Sequence, residues 1–281
     1  FSCYASGQMD VYLYKAGDIP TPPTPTEYVA TPTFAPAAGS YTSAQTVSIA
    51  CTTEGATIYY TLDGTTPTTE STVYAEAFTV SETTTVKAFA VKEGMLDSEV
   101  ATATYTIIEP MTIAAARALA INEYALVQGV VTFLEGRNVF IQDNTAGIDL
   151  YLNSNTVPSG LALGDMVKAY GKLANYGGLL ELTGINGNNE NQFIILSTGN
   201  TLPVAVKTIA EIVEDFNGSN ALQATRVQIE NATIGSINTG GNTTITQGDN
   251  SIIIYKIPAV EGLMEGDIVT ITGVIGAFSN V

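Results

Sequence analysis

Residues 164–171 read GDMVKAYG, and residues 266–273 read GDIVTITG. Both stretches follow the pattern G-D-x-V-x-x-x-G, and the two copies lie 102 positions apart. Such a spaced repetition indicates two copies of one folding unit. In each copy the Gly-Asp pair predicts a tight turn. The valine is predicted to face inward from the following strand, and the last glycine is predicted to relieve crowding where that strand coils. Because a strand follows the turn, a phosphate-binding loop is excluded, since that would open a helix.

The chain around the first motif predicts a small β-barrel over residues 109–205. Thr112 is a suitable N-cap for a short helix at Ile113–Ile121, a run rich in alanine and leucine. A helix before five strands, with a longer connection between the third and fourth, predicts an OB-like Greek-key barrel. The five predicted strands are Ala125–Phe133, Asn138–Gln142, Ile148–Leu152, Met166–Lys172 and Leu179–Leu182.

Residues 206–281 predict a second barrel of the same kind that lacks its last strand. A helix is predicted at Val206–Phe216. The strands that follow are Thr225–Glu230, Thr243–Thr246, Ile252–Ile257 and Ile268–Val274. Since no fifth strand pattern comes before Val281, we expect this barrel to be incomplete at its C-terminus and the sequence to be a piece of a longer protein.

Two short segments precede the first complete domain. Residues 1–16 alternate apolar and polar side chains around a Ser-Gly-Gln turn, which predicts two strands that belong to an upstream β domain. Residues 17–28 read GDIPTPPTPTEY, and their prolines favour an extended polyproline-like backbone. We therefore predict a domain remnant followed by a stiff linker.

Residues 29–108 carry only strand patterns, separated by turn signals about every 8–12 residues, which predicts a β-sandwich. The stretches GSYTSAQTVSIACTTEGATIYYTLDGTTPTTESTVY and TVSETTTVKAFAVKEGMLDSEVATATY resemble the chitobiase/β-hexosaminidase C-terminal-type domain, also called the fibronectin-III-associated type. This resemblance implies an immunoglobulin-like accessory sandwich of secreted bacterial proteins, often found beside glycosidases and without catalytic residues of its own. Asp63-Gly64 predicts a hairpin turn, in preference to a calcium ligand.

The first barrel carries a second resemblance. The sequence VQGVVTFLEGRNVFIQDNTAGIDLYL, followed by LALGDMVKAYGKL, is similar to the OB-fold domains of secreted Bacteroidota-type proteins. The similarity covers about residues 110–200 and implies tandem OB-fold-like domains. Some relatives of this kind accompany extracellular nucleases.

The composition narrows the classes of function. The chain contains 10 Lys and Arg residues and 27 Asp and Glu residues, which gives a net charge of −17. So few cations cannot form the basic face that binds a phosphate backbone, which disfavours nucleic acid as a partner. The absence of histidine excludes Ser-His-Asp and Cys-His nucleophile systems and the commonest zinc ligand sets. A pair of carboxylates could still act as general acid and base, and this alternative is left open. No apolar run is long enough to span a membrane.

The candidate ligand-binding residues are Arg137, Phe140, Tyr151 and Asn153, all at the predicted second and third strands of the first barrel. The outer face of these strands binds oligomers in many OB barrels. If the aliphatic residues of both strands face the core, Phe140, Asp149 and Tyr151 face outward. Phe140 and Tyr151 are then expected to be cross-strand neighbours on which a sugar or base can stack. The alternative is that the aromatic rings pack against neighbouring parts of the protein.

No metal, cofactor or catalytic residue is predicted. The runs at 184–191 and 238–250 are rich in Asn, Asp and Gly and offer oxygen ligands for calcium, but they lack EF-hand spacing and are interpreted as loops. Cys3 and Cys51 allow a disulfide. Because Cys51 lies in an alternating apolar run, we interpret it as a small buried hydrophobic residue.

The sequence as a whole predicts a mainly β chain: an immunoglobulin-like β-sandwich followed by two OB-like β-barrels, each preceded by a short helix. We expect a non-catalytic structural or adhesive segment (stalk, fibre or spacer) of a large secreted or cell-surface bacterial protein. Its expected partners are extracellular polysaccharide or copies of itself, without membrane insertion. Two alternatives stay open: accessory modules of a secreted glycosidase or nuclease whose catalytic domain lies elsewhere, and a glycan- or single-strand-binding OB module.

Overall fold

A computed structural model describes residues 27–237, 241–255 and 261–276, together with the backbone of 2–3 and 9–10. Strands dominate the described chain, which confirms the predicted mainly β fold. The chain divides into two compact units, one of residues 1–39 and 45–106 and the other of residues 40–44 and 107–281.

The predicted N-terminal remnant is described only in part. Strands β1 (Ser2–Cys3) and β2 (Met9–Asp10) pair antiparallel. The other residues up to 26, including nearly all of the predicted linker at 17–28, lie outside the described residues.

The sandwich is built from eight strands: β3 (Thr33–Ala35), β4 (Gly39–Tyr41), β5 (Gln45–Ala50), β6 (Thr57–Thr61), β7 (Thr72–Val73), β8 (Phe78–Val80), β9 (Thr84–Val91) and β10 (Ala101–Ile107). One sheet has the order β4-β10-β9-β6-β7 and the other the order β3-β5-β8. Alternate residues of β5 and β10 are buried, as the period of a half-buried strand requires, whereas β9 is buried at Val86 and from Ala88 to Ala90. Among them, Tyr105 is fully buried, and its hydroxyl donates a hydrogen bond to the Pro36 carbonyl (2.8 Å).

Two sequence predictions in the sandwich can be compared with the structure. Asp63 and Gly64 form the predicted turn: the Asp63 carboxylate accepts from the Thr65 N–H (3.0 Å), and Gly64 has a φ of +76°. Cys51 is half-exposed and not fully buried as expected, because β5 ends at Ala50 and Cys51 lies just after it; its thiol donates to the Ala30 carbonyl (3.1 Å). Among the described residues Cys51 forms no disulfide, and the side chain of Cys3 lies outside them.

The first barrel contains one helix and six strands: α1 (Ile113–Arg117), β11 (Tyr124–Glu135), β12 (Asn138–Gln142), β13 (Gly147–Leu152), β14 (Met166–Tyr176), β15 (Leu179–Ile185) and β16 (Phe193–Ser197). β11 pairs with β12 and β14, β13 pairs with β12 and β15, and β15 pairs with β14. These pairings close a five-stranded ring, the arrangement that an OB-like barrel requires. The sequence did not predict β16, which extends the sheet beyond β14.

Helix α1 begins as predicted but ends early. The Thr112 hydroxyl caps it by accepting from the Ala115 N–H (3.2 Å). The helix ends at Arg117 and does not reach Ile121, because the next two N–H groups bond three residues back: Ala118 donates to the Ala115 carbonyl (3.1 Å) and Leu119 to the Ala116 carbonyl (3.3 Å).

The second barrel repeats the first up to the motif strand. Its elements are β17 (Ala205–Val206), α2 (Ile209–Asn217), β18 (Arg226–Ile237), β19 (Thr243–Gln247), β20 (Asn250–Ile254) and β21 (Ile268–Val274). β18 pairs with β19 and β21, and β19 pairs with β20, as their counterparts do in the first barrel. β18 also begins 102 residues after β11, the spacing of the motif itself. Among the described residues no strand takes the place of β15.

The boundaries predicted for the second barrel need three corrections. The strand predicted at Thr225–Glu230 is β18, which begins at Arg226 and continues to Ile237. Val206 belongs to β17, and α2 begins only after Thr208, which forms a capping box with Glu211. The predicted third strand starts earlier, at Asn250, and ends at Ile254, while residues 256–257 of that prediction lie outside the described residues.

The repeated motif makes the same turn in both barrels. An Asp165 carboxylate oxygen accepts a hydrogen bond from the Ala162 N–H (2.9 Å), and an Asp267 oxygen accepts from the Met264 N–H (2.8 Å). The glycine before each aspartate has a φ of +87° or +93°, which side chains with a Cβ seldom adopt. The predicted turn role of the Gly-Asp pair is therefore confirmed.

The last glycine of the motif has different surroundings in the two barrels. A Cβ on Gly171 would lie 2.8 Å from Ile185 Cγ1 and 3.1 Å from the Leu182 Cβ, both on β15. Among the described residues, no atom lies within 4 Å of a Cβ placed on Gly273. The expectation that this glycine relieves crowding is confirmed for Gly171. It is wrong for Gly273 in the described structure, because no strand lies there.

This difference predicts unequal costs for one substitution. We expect Gly171→Ala to lower the free energy of unfolding by about 1–3 kcal/mol, because the added methyl overpacks the barrel. Gly273→Ala should be neutral or raise stability by up to about 1 kcal/mol, since alanine loses less backbone entropy than glycine. Urea unfolding of both variants measures the two values. Equal losses would contradict the described difference in packing.

Each barrel has its own hydrophobic cluster. The first is centred on fully buried residues of the strand ring, such as Ile141, Leu150 and Leu173, and the second on residues such as Ile209, Ile234 and Ile245. Both barrels nevertheless belong to one compact unit. The domain boundary between 205 and 206 stays a prediction.

Candidate functional site

The predicted binding face lies on the outside of β12 and β13. Phe140 and Tyr151 are half-buried on the side opposite the core, as predicted. The register places Phe140 opposite Asp149 and Tyr151 opposite Asn138. The two rings are therefore diagonal neighbours and not the direct pair that we expected. The inward-facing residues of the two strands are fully buried: Val139, Ile141, Ile148, Leu150 and Leu152.

Arg137 covers one face of the Tyr151 ring. Its guanidinium carbon lies 4.2 Å from the ring centroid, and its Nε donates a hydrogen bond to the Leu152 carbonyl (2.6 Å). This cation–π contact fixes both side chains on the barrel surface. A sugar or base cannot stack on the ring face that the guanidinium occupies, so a ligand would have to use the guanidinium itself or another aromatic ring.

Phe140 packs against Phe133, a residue that the sequence analysis did not select. Their ring centroids are 5.8 Å apart and the ring planes are inclined by 60°. Phe133 is 41% exposed and lies directly opposite Phe140 in the β11–β12 register. The tight Glu135-Gly136 turn between the two strands was the sequence signal that could have paired these residues.

Asn153 follows directly after β13 and is exposed. Its N–H donates to the Ile185 carbonyl (2.8 Å), and its own carbonyl accepts from the Thr156 hydroxyl (2.8 Å). These backbone bonds close the loop after the strand. Ligand binding by Arg137, Phe140, Tyr151 and Asn153 stays a prediction.

Asp149 differs from its expected exposure. It lies on the outward side of the strand as predicted, yet it is fully buried, and among the described residues neither of its carboxylate oxygens has a hydrogen-bond partner. The two-residue alternation of a strand predicts on which side of the sheet a residue lies, but it does not predict whether that side is exposed to solvent. The parallel register with β15 places Asp149 beside Glu181, which is 8% exposed.

Burial and the neighbouring carboxylate shift the titration of this pair. Burial raises the pKa of Asp149 to about 7, and the charge of Glu181 adds to the rise. Burial also raises the pKa of Glu181. Two carboxyl groups with shifted pKa values are the components of an acid–base pair. Because Asp149 has no solvent-exposed surface, we interpret the pair as buried and destabilising rather than as a site that a substrate reaches.

A second polar cluster joins the two barrels and was not selected from the sequence. Arg117 Nη1 donates to the carbonyls of Gly147 (2.8 Å) and Gln223 (2.9 Å), and Nη2 donates to the Asn220 carbonyl (2.7 Å). Burial lowers the pKa of Arg117, and the charge of Asp215 opposes this shift. The guanidinium thus holds one carbonyl of the first barrel and two of the second.

Two glutamines extend this contact. The fully buried Gln223 accepts from the Leu180 N–H (3.0 Å) and donates to the Gly178 carbonyl (2.8 Å), so its amide pairs with the backbone of the β14–β15 hairpin. Gln142 of the first barrel accepts from the Arg226 N–H (2.8 Å) of the second. At Gly147 a Cβ would overlap the Ala224 carbonyl, so the two backbones touch there.

Groups of potential metal ligands and membrane-spanning helices are both absent from the described residues. They contain no group of three or more His, Cys, Asp or Glu side chains placed to hold a metal ion. In the same part of the chain, neither helix is long and apolar enough to cross a membrane.

Comparison with known proteins identifies one part of the chain. Residues 36–102 match the family model of the chitobiase/beta-hexosaminidase C-terminal domain, which confirms the resemblance predicted for the sandwich. A comparison with curated protein sequences finds no match. A solved structure described as "Structural mimicry for functional antagonism" aligns with 48% of this chain and 94% of its own, at 12% identity and a TM-score of 0.27. That similarity is too weak to assign a shared fold.

Proposed function

We propose that this chain is a non-catalytic accessory segment of a secreted or cell-surface bacterial protein, and that its paired barrels act as a rigid spacer. The observation that carries the proposal is the contact at Arg117, where one side chain holds carbonyls of both barrels. Spacers connected by flexible linkers need no such contact. A partly buried, charge-assisted set of hydrogen bonds favours one fixed arrangement.

The sandwich supports the extracellular part of this proposal. Its family is named for the C-terminal domain of chitobiase and β-hexosaminidase, enzymes that act on glycans. The resemblance implies an accessory domain without catalytic residues, often found beside a glycosidase. The acidic surface, with a net charge of −17, keeps such a chain soluble and repels anionic partners.

A hydrolysis assay tests the non-catalytic role. We expect the purified chain to release no reducing ends from colloidal chitin or other polysaccharides and to leave DNA intact. Turnover that rises with protein concentration would overturn the proposal. The double variant Asp149→Asn, Glu181→Gln then shows whether the buried carboxylates are responsible, because only a reaction that depends on them disappears in it.

A second candidate function, glycan binding, is favoured by the exposure of Phe133 beside Phe140. The exposed Phe133 ring packs against Phe140, whose diagonal neighbour is Tyr151 beneath Arg137, so these side chains form a short polar–aromatic surface on the strands that OB barrels use for oligomers. The partner would be extracellular polysaccharide, since the net charge disfavours single-stranded nucleic acid.

This binding surface predicts the effect of one aromatic substitution. Phe133→Ala should weaken binding to a soluble polysaccharide about tenfold, the effect of losing about 1.4 kcal/mol of stacking. Tyr176→Ala is the matched control, because Tyr176 is 78% exposed but lies away from this face, at the end of β14. Isothermal titration measures both affinities. Unchanged affinity in Phe133→Ala, or no saturable binding at millimolar ligand, would exclude the candidate.

A further inference from the structure

Two tyrosines stack on the outer face of the first barrel. Tyr124 is the first residue of β11, and Tyr170 lies in the middle of β14. The register pairs Tyr124 with Lys172 and Tyr170 with Leu126, so the two tyrosines are diagonal neighbours on the same side of the sheet. Their ring centroids are 5.4 Å apart, and the ring planes are inclined by only 24°. The two rings therefore lie face to face.

This tyrosine pair is both close and accessible. Tyr124 is 58% exposed, and Tyr170 is half-buried. Burial raises the pKa of the Tyr170 phenol, and the charge of Tyr124 adds to the rise, which means that the two hydroxyl groups lie close enough to interact. A dissolved reagent can therefore reach Tyr124 while the Tyr170 ring stays in contact with it.

Other tyrosines lack this combination of stacking and exposure. Tyr60 and Tyr74 of the sandwich meet edge to face, with centroids 6.2 Å apart and planes at 80°, and both are half-buried. Tyr176 is 78% exposed but makes no ring contact with any described residue. Within the described ranges, only Tyr124 and Tyr170 form a stacked tyrosine pair that is open to solvent.

We propose that Tyr124 and Tyr170 are a site of oxidative cross-linking, where a peroxide activated by a peroxidase joins the two rings as dityrosine. Each phenol loses one electron and its hydroxyl proton. The two radicals form a carbon–carbon bond between the ring positions next to the oxygens, and the hydrogen of each bonded carbon moves to its oxygen, which restores both phenols. The chain loses two hydrogen atoms in all, and the peroxide that accepts them is reduced to water.

The cross-link joins β11 to β14 covalently. It closes the chain between residues 124 and 170 into a loop, which restricts the unfolded chain and stabilises the folded barrel relative to it. We therefore expect the oxidised chain to melt at a higher temperature than the untreated chain. The modification depends neither on the Arg117 contact of the proposed spacer nor on glycan binding at Phe133.

The experiment treats the whole chain with a haem peroxidase and hydrogen peroxide, with free tyrosine in a parallel reaction to show that the oxidant is active. Chains that remain monomeric in denaturing electrophoresis are digested with trypsin, which cleaves after lysine and arginine. Tyr124 then lies in the peptide 118–137 and Tyr170 in the peptide 169–172, each with a single tyrosine. We expect mass spectrometry to find these two peptides joined with the loss of two hydrogen atoms.

Phenylalanine variants locate the cross-link. Tyr124→Phe and Tyr170→Phe keep a ring at each position but remove the phenol, so each should abolish the joined peptide and the rise in melting temperature. Tyr176→Phe is the matched control and should leave both unchanged, since Tyr176 is exposed but unstacked. Three results would overturn the proposal: no joined peptide when free tyrosine is coupled, dityrosine in covalent dimers only, or a rise in melting temperature that persists in Tyr124→Phe.

Discussion

Asp149→Asn should stabilise the first barrel at pH 8 by about 3 kcal/mol, the largest gain we expect from any single substitution. The wild-type carboxylate is fully buried and has no hydrogen-bond partner in the described part of the chain, so its ionised form is costly. Asparagine has the same shape and stays neutral at every pH. Urea unfolding at pH 8 measures the difference, and a loss of stability in the variant would show that the carboxylate has a favourable partner in the native state.

The pH dependence of the wild-type protein follows from the same group. The pKa of Asp149 is about 7 in the folded protein, above its ordinary value of 3.8. Its stabilising contribution is therefore fully present below pH 3.8 and is lost as the pH rises to about 7. From pH 5 to pH 8 we expect the free energy of unfolding to fall by about 3 kcal/mol in the wild type and much less in Asp149→Asn.

Two further variants separate this effect from general charge effects. Glu181→Gln should move the titration of Asp149 to lower pH, because the charge of Glu181 raises the pKa of Asp149. Asp63→Asn is the control: hydrogen bonds from Thr65 lower the pKa of Asp63, so its titration ends below pH 5. A profile between pH 5 and pH 8 that changes in Asp63→Asn as much as in Asp149→Asn would contradict the assignment.

Arg117→Met should separate the two barrels into independently unfolding parts. The substitution removes three charge-assisted hydrogen bonds and leaves three partly buried carbonyls without that donor, a loss of about 3 kcal/mol. Scanning calorimetry should show one transition for residues 107–281 in the wild type and two in the variant. Lys207→Met is the matched control, because Lys207 forms a single exposed ion pair with Glu211 and such pairs contribute at most about 1 kcal/mol.

Gly147→Ala tests the same contact between the two barrels without changing a charged side chain. A methyl there overlaps the Ala224 carbonyl, and backbone atoms cannot move aside without separating the barrels. We expect the same two transitions as in Arg117→Met. A single transition in both variants would mean that the barrels are held together by other contacts.

The repeat made much of the barrel fold predictable from the sequence. The strand of the second motif was predicted with its observed bounds, and the Gly-Asp turn forms as expected in both copies. Inward and outward residues of β12 and β13 also follow from alternation. These features depend on local geometry, which a sequence pattern records directly.

The features that were missed depend on contacts between distant parts of the chain. Arg117 looks like an ordinary helical cation, and its partners lie about 30 and 106 residues away. Asp149 looked exposed because its burial depends on the packing of the surrounding chain, including Glu181 on β15. Phe133 was overlooked because the first strand was predicted to end there, whereas β11 continues to Glu135.

The distance between the two barrels tests the central claim, that they form one rigid body. Spin labels at the exposed positions Ser159 and Glu265, in a chain whose Cys3 and Cys51 are replaced by serine, allow this distance to be measured by pulsed electron paramagnetic resonance. We predict a single narrow distance distribution that broadens in Arg117→Met. A broad distribution in the wild type, or one that Arg117→Met leaves unchanged, would contradict the rigid spacer.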